Sequence, residues 1–282
     1  MDLDEIAYAK ADGVAEIVLD RPAQRNPISA GAGGTRDQIL WALEDAEDDP
    51  DVGCVLLRGA GSAFSSGGDL TGNVRRESAH EHHEFFEQAE AFHARVRNAR
   101  LPVVAAVHGY CLGAALQLAA SCDLIVASED ARFGLPEGRI GLVGAGPLVP
   151  IIGRQWAKFL ILTGELIDAE RAREIGLVFA VEPSNEHLER ARDLARRLTR
   201  LPREASLLNK RNVDAVADAA GDAAGRVVDA AHAVITLSNS ARATAPDGRT
   251  FREIIDTEGI EGMKSARAAQ YDTPWLREEQ RP

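Results

Sequence analysis

Residues 101–128, LPVVAAVHGYCLGAALQLAASCDLIVAS, constrain this chain more than any other stretch. They form its most apolar run, yet His108, Gln117 and Asp123 interrupt it. A membrane helix would carry those polar groups at high cost, so the run reads as buried soluble structure. Within it, residues 103–107 and 124–127 read as buried strands, and residues 113–121 as a helix between them. Residues 53–58 read as another buried strand and residues 78–98 as a polar helix. Strand, helix, strand, helix, strand in that order predicts an α/β fold with parallel pairing and right-handed crossovers.

The flanks follow the same logic. EIAYAK and VAEIVLD within residues 5–20 alternate or are β-branched, and Asp12-Gly13 between them predicts a hairpin turn. Pro22 ends the second strand because it has no N–H for a ladder. Residues 35–47 carry Ile39, Leu40, Leu43 and Ala46 at helical spacing, with Thr35 as the expected N-cap. The acidic run 44–51 reads as the solvated end of that helix. From residue 155 onward helices are expected at 155–163, 168–175, 186–200, 203–219 and 222–238. A Pro-Asp-Gly turn at 246–248 opens the tail.

Composition narrows the function. The 282 residues suit one large domain or two modest ones, and carry 32 Lys+Arg against 44 Asp+Glu, a net charge of −12. That balance argues against nucleic-acid or anionic-membrane partners, which want a basic face. Cys54, Cys111 and Cys122 form no CxxC pair and read as reduced core residues of a cytoplasmic protein. MDLDEIAYAK has no apolar core of a signal peptide.

Four segments are candidates for chemistry. The loop GAGSAFSSGGDL at 59–70 is not a phosphate loop, having no Lys, and not a dinucleotide fingerprint, because Phe64 occupies the third glycine position. It is either a tight turn or a glycine loop that lets backbone N–H groups approach a ligand. At 108–117, HGYCLGAALQ, small residues lead into a helix whose first N–H groups suit an anion or an oxyanion; close helix–strand packing is the plainer reading. Glu137 follows Pro136 in apolar surroundings, where a carboxyl is apt for base work, although a capping or salt-bridged role is equally open. His80, Glu81, His82, His83 and Glu84 do not make the zinc-protease order HExxH and read as a solvated helix face. No GxSxG is present.

Taken in order, the segments RPAQRNP at 21–27, 59–70, 101–128, ARFGLPEGRIGLVGAG at 131–146 and LTGELIDAERAREIGLV at 162–178 resemble the crotonase family of enoyl-CoA hydratases and isomerases. The resemblance runs from about residue 5 to 215. It implies a crotonase-like spiral of ββα units, residues 1–200, followed by a helical C-terminal trimerisation region, residues 201–282. It also implies homotrimers or dimers of trimers, acyl-CoA thioester substrates and no prosthetic group. Carried over by position, the N–H groups of Gly68 and Ala114 become the oxyanion hole. Arg25, Asn26, Pro27 and Ser66, with Gly68, come to lie along the coenzyme A, and the helix at 78–98 borders the acyl pocket as a mobile segment.

The chain departs from the family at two places: Ala114 stands where many members have Gly, a change that keeps the N–H, and the other departure touches the acid–base pair. Hydratases use two glutamates; the second matches Glu137, but the first position holds Gln117. An amide cannot exchange protons at neutral pH, though it can orient a water. A single carboxylate at 137 resembles the 3,2-enoyl-CoA isomerases. Single-glutamate isomerisation is therefore the leading expectation. A hydratase working through Gln117 and water is next, followed by other crotonase chemistry such as thioester hydrolysis, C–C cleavage or decarboxylation, and by a non-catalytic acyl-CoA-binding protein.

Overall fold

The computed structural model describes residues 3–70, 78–221, 243–269 and the single residues 228, 232 and 234. Its hairpin is β1 (Ile6–Ala11) and β2 (Val14–Leu19), paired antiparallel from Ile6 opposite Leu19 to Ala11 opposite Val14. Asp12 and Gly13 both take positive φ, 53° and 77°, the geometry of a tight primed turn. The chain continues through α1 (Thr35–Asp48), β3 (Cys54–Gly59), α2 (Ala79–Arg97), β4 (Val103–Val107), β5 (Tyr110–Leu112), α3 (Ala114–Ala120), β6 (Leu124–Ser128) and β7 (Arg132–Gly134). Next come the 3-10 turn Pro136–Ile140, α4 (Val149–Thr163), β8 (Leu166–Asp168), α5 (Ala169–Glu174), β9 (Ala180–Glu182), α6 (His187–Leu198) and α7 (Arg203–Ala219). Phe251–Ala268 forms α8.

Strands β1-β2-β3-β4-β6-β9 form one six-stranded sheet and β5-β7-β8 a second, three-stranded one. From β2 onward the large sheet is parallel. Its central strands are buried on both faces, which is why they read as continuous apolar runs. The period of two still sorts them. Val55, Leu57, Val103, Ala105 and Val107 face the main core with Ile39 and Leu43 of α1, Phe92 and Val96 of α2, and Leu116 of α3. Cys54, Leu56, Val104 and Ala106 face Ala191 and Ala195 of α6. Each crossover then adds a step to a second layer: Ser65 bridges Cys111, and Cys111 pairs with Phe133. These steps are the turns of the expected spiral.

Several expectations need correction. Thr35 is the first helical residue, not the cap. Gly34 occupies the cap position without a side-chain bond, and the Thr35 hydroxyl bonds Glu5 and Ser29 instead. Glu47, placed in a solvated acidic run, is buried between Arg95 and Arg100. Helix α2 is polar in composition but buries Phe92, His93 and Val96. Strands β5, β7, β8 and β9, of three residues each, were not anticipated. The helix expected at 222–238 and the end of the tail lie outside the described residues, apart from positions 228, 232 and 234, which are helical. Among the described residues no helix is long and apolar enough to cross a membrane.

Candidate active site

Two adjacent strand ends build one wall of the site. Leu112 of β5 pairs with Gly134 of β7, and Gly113 N–H donates to the Gly134 carbonyl at 3.0 Å. The chain then diverges, β5 into α3 and β7 into the turn Pro136–Ile140. One helical turn into α3 stands Gln117; in the 3-10 turn stands Glu137. Gly113 has φ 56° and ψ −123°, a backbone conformation that favours glycine. A Cβ there would also lie 3.1 Å from Glu137 Oε2 and 3.4 Å from its Cδ. The absent side chain is what lets the carboxylate approach the start of α3.

Gln117 is pinned from the other side. Its Nε2 donates to the Gly144 carbonyl at 2.8 Å. Beside Gly144, the point a Cβ would occupy is 2.8 Å from Gln117 Nε2 and 3.4 Å from Glu137 Oε1. Amide and carboxylate therefore border the same small space, and both are half-buried.

The second wall is the glycine loop. Ile28 N–H donates to the Gly67 carbonyl at 2.8 Å, and Asp69 N–H donates to the Ile28 carbonyl at 2.9 Å. These bonds straddle Gly68 in a parallel bridge and turn its own N–H away from Ile28. Among the described residues, no backbone carbonyl accepts from Gly68 N–H or from Ala114 N–H, the first of α3. Gly67, at φ 101°, presses the loop against the other wall: a Cβ on it would sit 2.6 Å from the Leu112 carbonyl oxygen and 3.7 Å from Ala114 N. The loop and the entrance of α3 are thus neighbours.

The loop at 21–28 is held by its own side chains. Asn26 is buried; its Nδ2 donates to the carbonyls of Ala60 and Ala63, each at 2.8 Å, and its Oδ1 accepts from Arg21 N–H at 3.0 Å. Arg21 pairs with Asp69 at 2.8 Å and Glu5 at 3.2 Å. Of the residues expected along the coenzyme, Arg25 and Ser66 stand at the surface, joined by Ser66 N–H donating to the Arg25 carbonyl at 2.8 Å. Asn26 and Pro27 are buried, and the Asn26 side chain is committed to shaping the loop. Its side-chain amide thus holds the loop in shape. Sequence reasoning did not single out Tyr110, whose exposed ring lies under the Arg25 guanidinium at 5.8 Å.

Other polar groups fall elsewhere. His80 and His83 make surface pairs with Glu84 and Glu87 at 3.5 and 3.2 Å. Among the described residues no group of three His, Cys, Asp or Glu side chains is placed to hold a metal. All three cysteines are free, and burial pushes the Cys54 thiol up to about 12, which removes it as a nucleophile. The tail also reaches the site. Ile254 and Met263 of α8 cluster with Leu70, just past the glycine loop, and with Ile140, just past Glu137.

The model of the enoyl-CoA hydratase/isomerase family matches residues 9–250. The chain belongs to that family. Among solved structures, an enoyl-CoA hydratase/isomerase from Xanthobacter autotrophicus Py2 superposes with a TM-score of 0.87 at 30% identity, covering 96% of this chain and 100% of that one. The Mycobacterium tuberculosis protein EchA13 is 36% identical over 78% of this chain and 76% of its own length. The 2,3-dehydroadipyl-CoA hydratase of Escherichia coli is 35% identical over 70% of this chain and 77% of its own. The fold of the enoyl-CoA hydratase/isomerase family therefore spans nearly the whole of this chain.

Proposed function

We propose that this family member isomerises enoyl-CoA thioesters with Glu137 as the sole proton carrier. The observation that carries the reading is the pair across the small space: Glu137 faces an amide, Gln117, whose nitrogen is held by the Gly144 carbonyl. Glu137 takes a proton from C2 of a 3-enoyl thioester. The C–H electrons form a C1=C2 bond conjugated with the remaining C3=C4 bond, and the carbonyl π pair moves onto the thioester oxygen. When that oxygen re-forms its carbonyl, the C1=C2 pair shifts to C2=C3 and the C3=C4 pair takes the proton at C4. The N–H groups of Gly68 and Ala114 receive that oxygen. Losing one such donor typically removes about 2.7–4 kcal/mol of transition-state stabilisation. Glu137, now protonated, returns the proton to C4, and the double bond ends between C2 and C3. No water and no second acid is consumed.

Hydration is the second reading. Relatives named as hydratases favour it, and Gln117 Oε1 accepts no hydrogen bond among the described residues, so it can orient a water. Arg25 and Ser66 are assigned to the coenzyme, with Arg25 pairing a phosphate. Residues 1–200 serve as the core carrying the site, and residues 201–282 serve assembly, as a cytoplasmic homotrimer or dimer of trimers. Exposed Leu208, Val213 and Val216 on α7 support assembly.

The experiment is a paired assay. Purified protein is given a 2-enoyl-CoA and, separately, a 3-enoyl-CoA. Gain of conjugated-thioester absorbance with the second is the expected result; its loss with the first indicates hydration. Binding without turnover of either would leave a non-catalytic acyl-CoA-binding protein.

A further inference from the structure

Helix α8 rests on both walls of the site. Ile254 and Met263 pack with Leu70, two residues beyond Gly68, and Ile140, three beyond Glu137. Arg267 lies four residues past Met263, hence on the same helical face, and is half-buried. The basic residues nearest it on α8 are paired: Lys264 with Glu261 at 2.6 Å and Arg252 with Asp256 at 3.5 Å. Arg267 has no carboxylate within 4.0 Å and no hydrogen bond among the described residues. Burial pulls its guanidinium below the usual range, Glu137 pulls it up, and Arg139 pulls it down. The cation therefore feels the Glu137 carboxylate without closing an ion pair with it. Arg139 is itself tied back, its Nε donating to the Thr163 carbonyl at 2.7 Å.

A guanidinium withdrawn from water is costly until an anion meets it, and its planar fork matches a carboxylate bidentately. Building on the acyl-CoA reading above, we propose that Arg267 receives a carboxylate at the far end of the acyl chain, so that this protein prefers CoA thioesters of short dicarboxylic acids. The anion would lie beside the carbons on which Glu137 works, where a fully apolar acyl terminus would offer the half-buried guanidinium no carboxylate. Two features fit this assignment: the charge sits on a segment that packs on the site, and the nearby Lys264 and Arg139 are engaged elsewhere.

The test is calorimetric binding of adipyl-CoA and hexanoyl-CoA, which differ in the terminal carboxylate. Wild-type protein should bind adipyl-CoA about 10–100-fold more tightly, the range of a charge-assisted hydrogen-bonded pair. Arg267→Gln should reduce that margin to within about threefold, and Arg267→Lys should keep part of it. Equal wild-type affinities, or a margin that survives Arg267→Gln, would overturn the proposal. If Arg267→Gln does not fold, the wild-type margin and Arg267→Lys decide. The readout is binding, so a margin without turnover of enoyl thioesters would sink the isomerase reading alone. Turnover without a margin would sink this proposal alone, and binding of neither thioester would sink both.

Discussion

Gly67 and Gly68 are chain neighbours with opposite tolerances. At Gly67, φ is 101° and a Cβ would meet the Leu112 carbonyl oxygen at 2.6 Å. At Gly68 no atom lies within 4 Å of the corresponding point. Gly67→Ala should therefore destabilise the fold by about 1–3 kcal/mol, read as a lower Tm. Gly68→Val should leave Tm within a few degrees while weakening acyl-CoA binding, read by calorimetry, because its branches would crowd the N–H assigned to the thioester oxygen. Unchanged binding by Gly68→Val would remove that N–H from the oxyanion hole. Gly113 belongs with Gly67: its close approach to Glu137 is a requirement of the site rather than of a turn. Asn26 shows what a residue's type leaves open. Its motif position matches the coenzyme loop, but only the fold reveals that its amide faces inward to Ala60 and Ala63.

Among the elements, long strands are legible in the sequence and short ones are not. Residues 53–58, 103–107 and 124–127 announce themselves as apolar runs because β3, β4 and β6 are buried on both faces. Strands of three residues, such as β5 and β7, carry too few alternations to stand out, yet they bring Gln117 and Glu137 together. The join of α1 to α2 was also hidden, since Glu47 looks like one acid in an acidic run. It is buried and accepts from Arg95 at 2.7 and 3.0 Å and from Arg100 Nε at 3.0 Å. Burial opposes its charge, but those bonds outweigh burial and hold its carboxyl below its ordinary 4.5. A lowered folded-state value means the stabilisation is complete above the ordinary one and is lost as pH falls through the lowered one. Thermal unfolding should therefore drop more steeply below about pH 4.5 in the wild type than in Glu47→Gln. At neutral pH that substitution should cost about 2 kcal/mol, less than the 3–5 kcal/mol of a fully buried pair, because both arginines keep solvent contact.

At the scale of the molecule, α7 stands out for how little it buries among the described residues. It buries no residue of its own. Polar ties hold it: Lys210 to Asp123 at 2.8 Å, Arg97 to Asp218 at 3.1 Å, and Arg203 to the Asp49 carbonyl at 2.6 Å. Leu208, Val213 and Val216 remain exposed. If that face joins subunits, Val213→Glu with Val216→Glu should shift the protein to a smaller species in light scattering while far-UV circular dichroism stays unchanged. A wild-type monomer would contradict the assembly. The −12 charge also acquires a more local meaning. On the proposed function, a strongly anionic coenzyme would be met by Arg25 and backbone donors, not by the acidic surface around them.

The central claim is that one carboxylate moves the proton. It is tested most directly by following 3-enoyl-CoA with wild-type protein and with Glu137→Gln, watching growth of conjugated-thioester absorbance and identifying the product. Wild-type protein should yield the 2-enoyl thioester, and the variant should be slower by about 10²–10⁴-fold. Equal rates in the two proteins, or a wild type whose only activity is hydration of the 2-enoyl thioester, would contradict it.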